Sequence, residues 1–238
     1  MDQNSALPAS PRRVRRAVRP VVLTALGVAA AALAPFVLHM FVVSVPMVVH
    51  GGWYAWFWTF NGVMLAMVAA LPVSALIVWF LTRRRRAAGV EPARARRASL
   101  AEVGMVHGTV PWVWLILMPG ANAGEVPGRV SLVPLVDLVT MGTLGLVGNL
   151  LVFAALGFFA PMRYAALASL PRVLALGAGL SVLLETLQYV LRLDRVSSVD
   201  DVLVNATGAA LAALVSTRWW LPREPATRHL ATDGPKVP

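Results

Sequence analysis

Polar side chains recur at helical spacing within apolar stretches in the second half of the chain. Glu185 and Gln188 are three residues apart, and Asp201 and Asn205 are four apart, so each pair lies on one face of a helix. Asn149 lies in an earlier apolar stretch. A charge at the centre of a membrane helix costs about 2.5 to 3.5 kcal/mol, so such residues usually serve a function. We expect three helices to place these groups around a polar pocket that opens outward.

The carboxylates of this set offer an enzymatic alternative. Asp200, Asp201 and Asp194 are hard oxygen ligands of the kind that suits a magnesium ion bound with a substrate phosphate, and Glu185 would then act as general acid or base. Adjacent aspartates on a helix, however, point about 100° apart, which makes a shared metal awkward. We therefore expect no metal and no cofactor, with magnesium reserved for this alternative, and whether the protein is an enzyme stays open.

The composition identifies the kind of element that carries these residues. The chain of 238 residues is 58% hydrophobic and only 13% charged, whereas a soluble domain is about one quarter charged. It has no cysteine, which excludes a disulfide scaffold, a thiolate metal site and a cysteine nucleophile. Six apolar runs are long enough, or nearly so, to cross a bilayer as helices. They are 20–45, 57–81, 100–118, 144–160, 173–191 and 202–220.

The basic residues predict the orientation of these six helices. With alternate loops on opposite sides, all 21 lysines and arginines except Arg129, Arg192 and Arg195 lie on one side. The positive-inside rule then places both termini in the cytoplasm. The run Arg83–Arg86 is interpreted as an anchor at the inner membrane surface rather than as a nucleic-acid contact.

The sequence predicts an all-α integral membrane protein whose helices are separated by short connecting segments. Gly51 and Gly52 favour a tight outer turn in a loop over 46–58. Ser198, three residues before Asp201, is typical of a helix N-cap, so the last helix should begin there. The expected parts are a basic arm at 1–19, a two-helix hairpin at 20–82, an Arg-rich cytoplasmic linker at 83–99, a four-helix membrane domain at 100–220 and a cytoplasmic tail at 221–238.

Three ordered blocks within residues 100–217 carry a resemblance to a known family. They are Arg129-Val-Ser-Leu-Val-Pro134-Leu, then Asn149-Leu-Leu-Val-Phe153-Ala-Ala-Leu-Gly157, and then Glu185-x-x-Gln188 with Arg195 and Asp200-Asp201-x-x-x-Asn205-x-x-Gly208. Together they resemble the VanZ-like family of bacterial membrane proteins. Ser131, Leu135 and Ala155 depart from the family's asparagine, aromatic residue and proline, which affects the loop near 131–135 and any kink in the fourth span.

The resemblance implies a cell-envelope protein of the bacterial inner membrane. The best-known members are associated with reduced susceptibility to glycopeptide antibiotics such as teicoplanin, and the family implies no settled reaction. Our leading hypothesis is a pocket that binds a lipid or lipid-linked head group. Arg195 and Arg129 would contact its anionic group with paired hydrogen bonds, and Asn149, Asn205 and Gln188 would orient it or hold the helices.

The expected partners are membrane lipids and lipid-linked cell-wall intermediates, without nucleic acid. The enzymatic alternative would act on a polyprenyl-phosphate lipid. A third alternative is a small transporter in which Glu185 carries a proton, although the sequence has no internal repeat of the kind that many transporters show. Gly208 and Gly157 are expected to let helices approach closely.

Overall fold

The computed structural model of the chain describes residues 34–35, 37–46 and 48–221. The predicted arm 1–19, residues 20–33 of the first predicted span and residues 222–238 of the predicted tail lie outside that part. The chain divides into two compact units, Met1–Val68 and Ala69–Pro238. We refer to them as unit 1 and unit 2.

Unit 1 corrects one expectation from the sequence. Helices α1 (Val37–Pro46) and α2 (Val48–Trp56) lead into α3, which spans Phe60–Ala69. Residues 48–56 of the predicted loop 46–58 are therefore helical, although Gly52 has a left-handed φ of 75° as a turn glycine would, and a turn follows at 57–59. The reason lies in aromatic pairs four residues apart, because the ring of Trp53 contacts that of Phe57 edge to face, and such pairs stabilise a helical turn.

Unit 2 contains seven further helices and one pair of short strands among the described residues. These elements are α4 (Leu71–Ala87), α5 (Pro92–Ile116), β1 (Arg129–Ser131), α6 (Val136–Thr140), α7 (Thr143–Val152), α8 (Ala154–Arg163), α9 (Leu170–Val190), β2 (Val196–Ser198) and α10 (Val199–Ser216). Helix α10 packs against α7, α8 and α9, and α5 packs against α4 and α8. The buried core of unit 2 includes Val152, Phe153 and Val173.

Only residues 88–91 of the predicted linker 83–99 lie outside helices, because α4 continues through the arginine run and α5 begins at Pro92. Arginine is a good helix former and is stabilised near a helix C-terminus by the helix dipole. Proline is favoured at the first position of a helix. The carboxylate of Glu91 caps α5 by accepting hydrogen bonds from Ala93 N and Arg94 N. These bonds lower the pKa of Glu91.

Glycines allow the closest helix contacts in unit 2. A Cβ atom on Gly208 would lie 2.0 Å from the carbonyl oxygen of Leu150, and one on Gly157 would lie 2.1 Å from that of Ala209. Such spacing tolerates no side chain, so these two positions set the distance of α10 from α7 and α8. Gly208 and Gly157 are therefore placed at helix contacts.

Three segments are long and apolar enough to span a membrane, namely Thr143–Arg163, Leu170–Val190 and Val199–Trp219. Two pairs of consecutive helices, α1 with α2 and α3 with α4, would raise the number to five. The predicted third span, 100–118, lies in α5 but is not among these candidates, because Glu102 and His107 reduce the apolar character of that helix. The described part of the chain thus holds three to five candidate spans, where six were predicted.

Candidate functional site

Two loops of unit 2 meet at one end of its helices. Strands β1 and β2 pair in parallel, with Arg129 opposite Val196 and Ser131 opposite Ser198. This pairing joins the segment after α5 to the segment between α9 and α10. We call this side the loop end, and we call the opposite side, where α4 ends and α5 begins, the arginine end.

Asp194 holds the two loops together at the surface. Its Oδ2 atom accepts hydrogen bonds from the backbone N and the Nδ2 atom of Asn122, each at 3.1 Å. Its Oδ1 atom faces Arg129 at 3.5 Å. Arg129, which the sequence placed in the pocket, therefore contacts a loop aspartate, and 58% of its side chain stays exposed.

Asp200 anchors the segment before α7. Its side chain is only 1% exposed and accepts hydrogen bonds from Leu135 N at 2.6 Å and Leu138 N at 2.9 Å. Leu135 has a left-handed backbone with φ of 68°, which the bond to Asp200 helps to hold. Both oxygens of Asp200 are thus used to position α6. The segment 131–142 thus consists of the end of β1, this anchored turn and the short α6, and α7 starts at Thr143.

Ser198 links three parts of the loop end. Its hydroxyl accepts a hydrogen bond from Asp200 N at 3.1 Å, which confirms the predicted N-cap and the start of α10. The same hydroxyl donates to Asp137 at 2.6 Å. Hydrogen bonds from Ser131 and Ser198 lower the pKa of Asp137.

Glu185, Asp201 and Asn149 form the centre of the site, and we call these three residues the acidic cluster. They come from α9, α10 and α7. Asn149 Nδ2 donates to Asp201 Oδ1, and Ser198 N donates to Glu185 Oε2 at 3.0 Å. Glu185 is 8% exposed, and the two carboxyl groups are close enough for their charges to interact.

Each acid of the cluster keeps one free acceptor. No described residue donates a hydrogen bond to Glu185 Oε1 or Asp201 Oδ2, and neither atom is fully buried without a partner. No arginine in the described part of the chain forms an ion pair with Glu185, and this includes Arg192 and Arg195 of the loop that follows α9. A neutral donor therefore bonds one oxygen of each carboxyl group, and the other oxygen is available to accept a hydrogen bond.

Arg195 lies beside this cluster at the surface. Its Nε atom donates to the carbonyl oxygen of Met118 at 3.3 Å, and its charge is near enough to Asp201 to interact with it. The terminal nitrogens of Arg195 have no partner among the described residues. They are available to a ligand that approaches from the loop end.

Gln188 and Asn205 hold helices rather than face the loop end. Gln188 Nε2 donates to the carbonyl oxygen of Ile116 at 2.9 Å, which ties α9 to the end of α5. Asn205 is 0% exposed, and its Nδ2 atom donates to Ser181 Oγ at 2.7 Å. The Oδ1 atom of Asn205 has no hydrogen-bond partner and is sealed from solvent.

The aspartates do not converge as a metal site would require. Asp194 contacts Asn122 and Arg129, Asp200 contacts two backbone amides, and Asp201 contacts Asn149. Across residues 34–221, wherever the structure describes them, no group of three His, Asp or Glu side chains is placed to hold a metal ion. The residues therefore do not fit the magnesium site of the enzymatic alternative.

The sequence missed an ion-pair cluster at the arginine end. Glu102 accepts hydrogen bonds from Arg85 of α4 and Arg163 of α8, and Arg85 also donates to Ser99. Glu102 lies near the start of the predicted third span, 100–118, which follows the run Arg83–Arg86. An acidic residue at an inner helix end, close to other helix ends that carry arginines, is the sequence signal for such a pairing.

A comparison with protein families identifies a match over the region that contains this site. The family model described as VanZ/LLP1 matches residues 105–220, which include β1, β2 and all three members of the acidic cluster. No curated protein and no solved structure matches the chain. The three blocks of the sequence that carried the resemblance all fall within the matched region. The match over residues 105–220 supports a VanZ-like family assignment for this region, and the apolar helices within it support a membrane protein.

Proposed function

We propose that the loop end of unit 2 binds the polar head group of a lipid or a lipid-linked cell-wall intermediate. The observation that carries this proposal is the acidic cluster, in which three helices bring two carboxyl groups and an amide together beside Arg195. The free acceptors, Glu185 Oε1 and Asp201 Oδ2, suit hydroxyl or ammonium donors of a head group. The free nitrogens of Arg195 suit its phosphate.

The proposed site has hydrogen-bond acceptors in its interior, on Glu185 and Asp201, and a cation, Arg195, at its edge. A buried carboxylate is costly unless its hydrogen bonds are met, so a ligand that donates to Glu185 and Asp201 would be stabilised there. Arg195 would contact the anionic group of the same ligand, and Arg129 would reach it only by leaving Asp194. Gln188, Asn205 and Asp200 support the site by holding helices and loops.

We further propose that the protein lies in the bacterial inner membrane with the loop end outside and both termini in the cytoplasm. The positive-inside rule supports this orientation, because the arginine end carries the run Arg83–Arg86. The head groups of cell-wall intermediates act at the outer surface. A protein that binds them there would change susceptibility to glycopeptide antibiotics of the teicoplanin type.

The orientation can be tested directly because the chain has no cysteine. Single cysteines at Ala121 in the loop end and at Ala88 beside the arginine run place one thiol at each exposed end. A thiol reagent that does not cross membranes should label Ala121→Cys in intact cells and label Ala88→Cys only after lysis. The reverse pattern would contradict the proposed orientation.

The function is tested by teicoplanin susceptibility in cells with and without the protein. Arg195→Gln and Asp201→Asn should each weaken the effect of the protein, and Arg195→Gln the more strongly, because each changes a group that would face the ligand. Arg192→Gln is the matched control, since it removes the same charge from the same loop and its exposed side chain forms no hydrogen bond or ion pair with a described residue. If all three variants act like the wild type at equal abundance, the acidic cluster is not the functional site.

A further inference from the structure

A groove between α4 and α5 lies at the arginine end, away from the acidic cluster. Its volume is about 520 Å³. One part of its wall is apolar, formed by Ala75, Val78 and Trp79, and the other is basic. The basic part consists of Arg83 and Arg86 of α4 and Arg96 of α5.

The wall that α4 contributes is a single stripe of that helix. Positions 75, 78, 79, 82, 83 and 86 follow the spacing of three and four residues that places side chains on one face. At 1.5 Å per residue the stripe is about 16 Å long, which is close to half of a hydrocarbon core about 30 Å thick. The stripe is apolar at one end and basic at the other, which matches the acyl chains and the head groups of one leaflet of a bilayer.

The arginines of the groove lack acidic partners. Arg83, Arg86 and Arg96 form no ion pair with any described residue, whereas the neighbouring Arg85 contacts Glu102. The guanidinium carbon of Arg83 lies 4.8 Å from the centre of the Trp79 ring, which orients it along the groove.

Two further groups complete the basic part. Thr82 Oγ1 is buried without a hydrogen-bond partner and lines both the groove and an adjoining pocket of about 300 Å³. Glu91 also lines that pocket, where its carboxylate accepts hydrogen bonds from Ala93 N and Arg94 N. The charge of Glu91 interacts with that of Arg96 through space, but the two form no ion pair. The groove therefore keeps a net positive charge, from three arginines against one carboxylate, and an unused hydroxyl.

We propose that this groove binds one anionic phospholipid. An acyl chain lies along Ala75, Val78 and Trp79, and the phosphate contacts Arg83, Arg86 and Arg96. A free phosphate would leave the apolar part of the groove uncovered, and a neutral lipid would leave three arginines without a counter-charge. The site is independent of the acidic cluster.

The run of four arginines provides its own control. Arg84 carries the same charge one residue away but does not line the groove, since successive residues point about 100° apart on a helix. A diffuse attraction to an anionic surface depends on the number of charges and would treat Arg84 and Arg86 alike. Binding at a defined site would instead depend on Arg86 and not on Arg84.

The test uses the purified full-length protein in detergent with equal amounts of phosphatidylglycerol and phosphatidylcholine, and native mass spectrometry counts the lipids that stay bound. The wild type should retain one phosphatidylglycerol. Arg86→Gln and Arg96→Gln should each weaken its retention about tenfold, as expected for one charge-assisted hydrogen bond. Arg84→Gln should stay within about twofold of the wild type, and Arg86→Lys should recover part of the loss.

Each alternative outcome overturns the proposal. Equal losses for Arg84→Gln and Arg86→Gln would indicate diffuse attraction, and no loss in any variant would indicate that the groove binds no anionic lipid. Displacement of the lipid by millimolar inorganic phosphate would indicate a phosphate site without an acyl chain. A melting temperature measured for each variant separates lost binding from lost folding, because only folded variants are compared.

Discussion

The two ends of unit 2 stabilise their partly or fully buried acids in opposite ways. At the arginine end, Glu102 accepts hydrogen bonds from two guanidinium groups, those of Arg85 and Arg163. At the loop end, the donors to Glu185 and Asp201 are a backbone amide and a side-chain amide. A carboxylate whose two oxygens are both ion-paired needs no ligand. A carboxyl group bonded by one neutral donor still has one oxygen that can accept a hydrogen bond from a ligand.

This difference separates structural acids from acids available for function. Glu102 has both oxygens in use and ties α4, α5 and α8 together. Asp200 also has both oxygens in use, on backbone amides of the segment before α7. Glu185 and Asp201 each have one oxygen in use. Variants at each end test this distinction between structural acids and acids available for function.

The largest effect is expected at Asp200. Asp200→Ala removes the acceptor of Leu135 N and Leu138 N in a position that is 1% exposed, leaving two backbone amides without partners. The free energy of unfolding should fall by about 2 to 5 kcal/mol, as measured by unfolding in mixed micelles. Glu125→Ala, on an exposed turn of the same end, should change it by less than about 0.5 kcal/mol. Equal effects of the two variants would contradict the anchoring role.

The next effect concerns the helix contact that places Asn149 near Asp201. A Cβ atom on Gly208 would overlap the carbonyl oxygen of Leu150, so Gly208→Ala should destabilise unit 2 by about 2 kcal/mol. Gly179→Ala is the control, because no heavy atom lies within 4 Å of the added Cβ. That variant should be neutral or up to about 1 kcal/mol more stable through helix propensity. A tolerated Gly208→Ala would show that α7 and α10 are not held at this distance.

A smaller effect is expected at the arginine end. The ion pairs of Glu102 are partly exposed, so Glu102→Gln should cost about 1 to 2 kcal/mol, and high salt should reduce the difference. A double-mutant cycle with Arg163→Gln should give a coupling energy above about 0.5 kcal/mol. Additive effects of the two substitutions would mean that the contact contributes nothing to stability.

The smallest effect is a pH dependence at the loop end. The ionised form of Asp137 accepts hydrogen bonds from Ser131 and Ser198, which lowers its pKa below the ordinary 3.8. Its contribution is therefore present above that ordinary value and is lost as the pH falls through the lowered pKa. The protection factors of the α6 amides, which are corrected for the intrinsic pH dependence of hydrogen exchange, should fall on acidification in the wild type. Asp137→Asn should show no such step, and an identical step in that variant would assign the change to another group.

The residues that the sequence placed correctly depend on local rules. Ser198 is recognisable as an N-cap from its spacing, and the start of α10 follows. The helical course of the arginine run does not follow from its charge, because a run of charges is also typical of a loop, although arginine favours helices. The helix over residues 48–56 is hard to predict for a related reason, since two glycines indicate a turn where the aromatic pairs around them stabilise a helix.

The contacts within the site could not be read from spacing alone. Asp200 and Asp201 are adjacent, but one anchors a segment 62 to 65 residues earlier in the chain and the other faces Asn149. Arg163 and Glu102 are 61 residues apart. Such pairs depend on how helices pack, which the small residues at helix contacts determine and which one sequence indicates only weakly.

The central claim is that the acidic cluster and Arg195 bind a lipid head group, and direct binding tests it best. The measurement is the affinity of the purified wild type and of Arg195→Gln, Asp201→Asn and Arg192→Gln for a polyprenyl phosphate in nanodiscs. We expect Arg195→Gln to lose about tenfold in affinity, Asp201→Asn to lose less, and Arg192→Gln to match the wild type. Equal affinity of all four proteins, or loss on Arg192→Gln alone, would contradict the account.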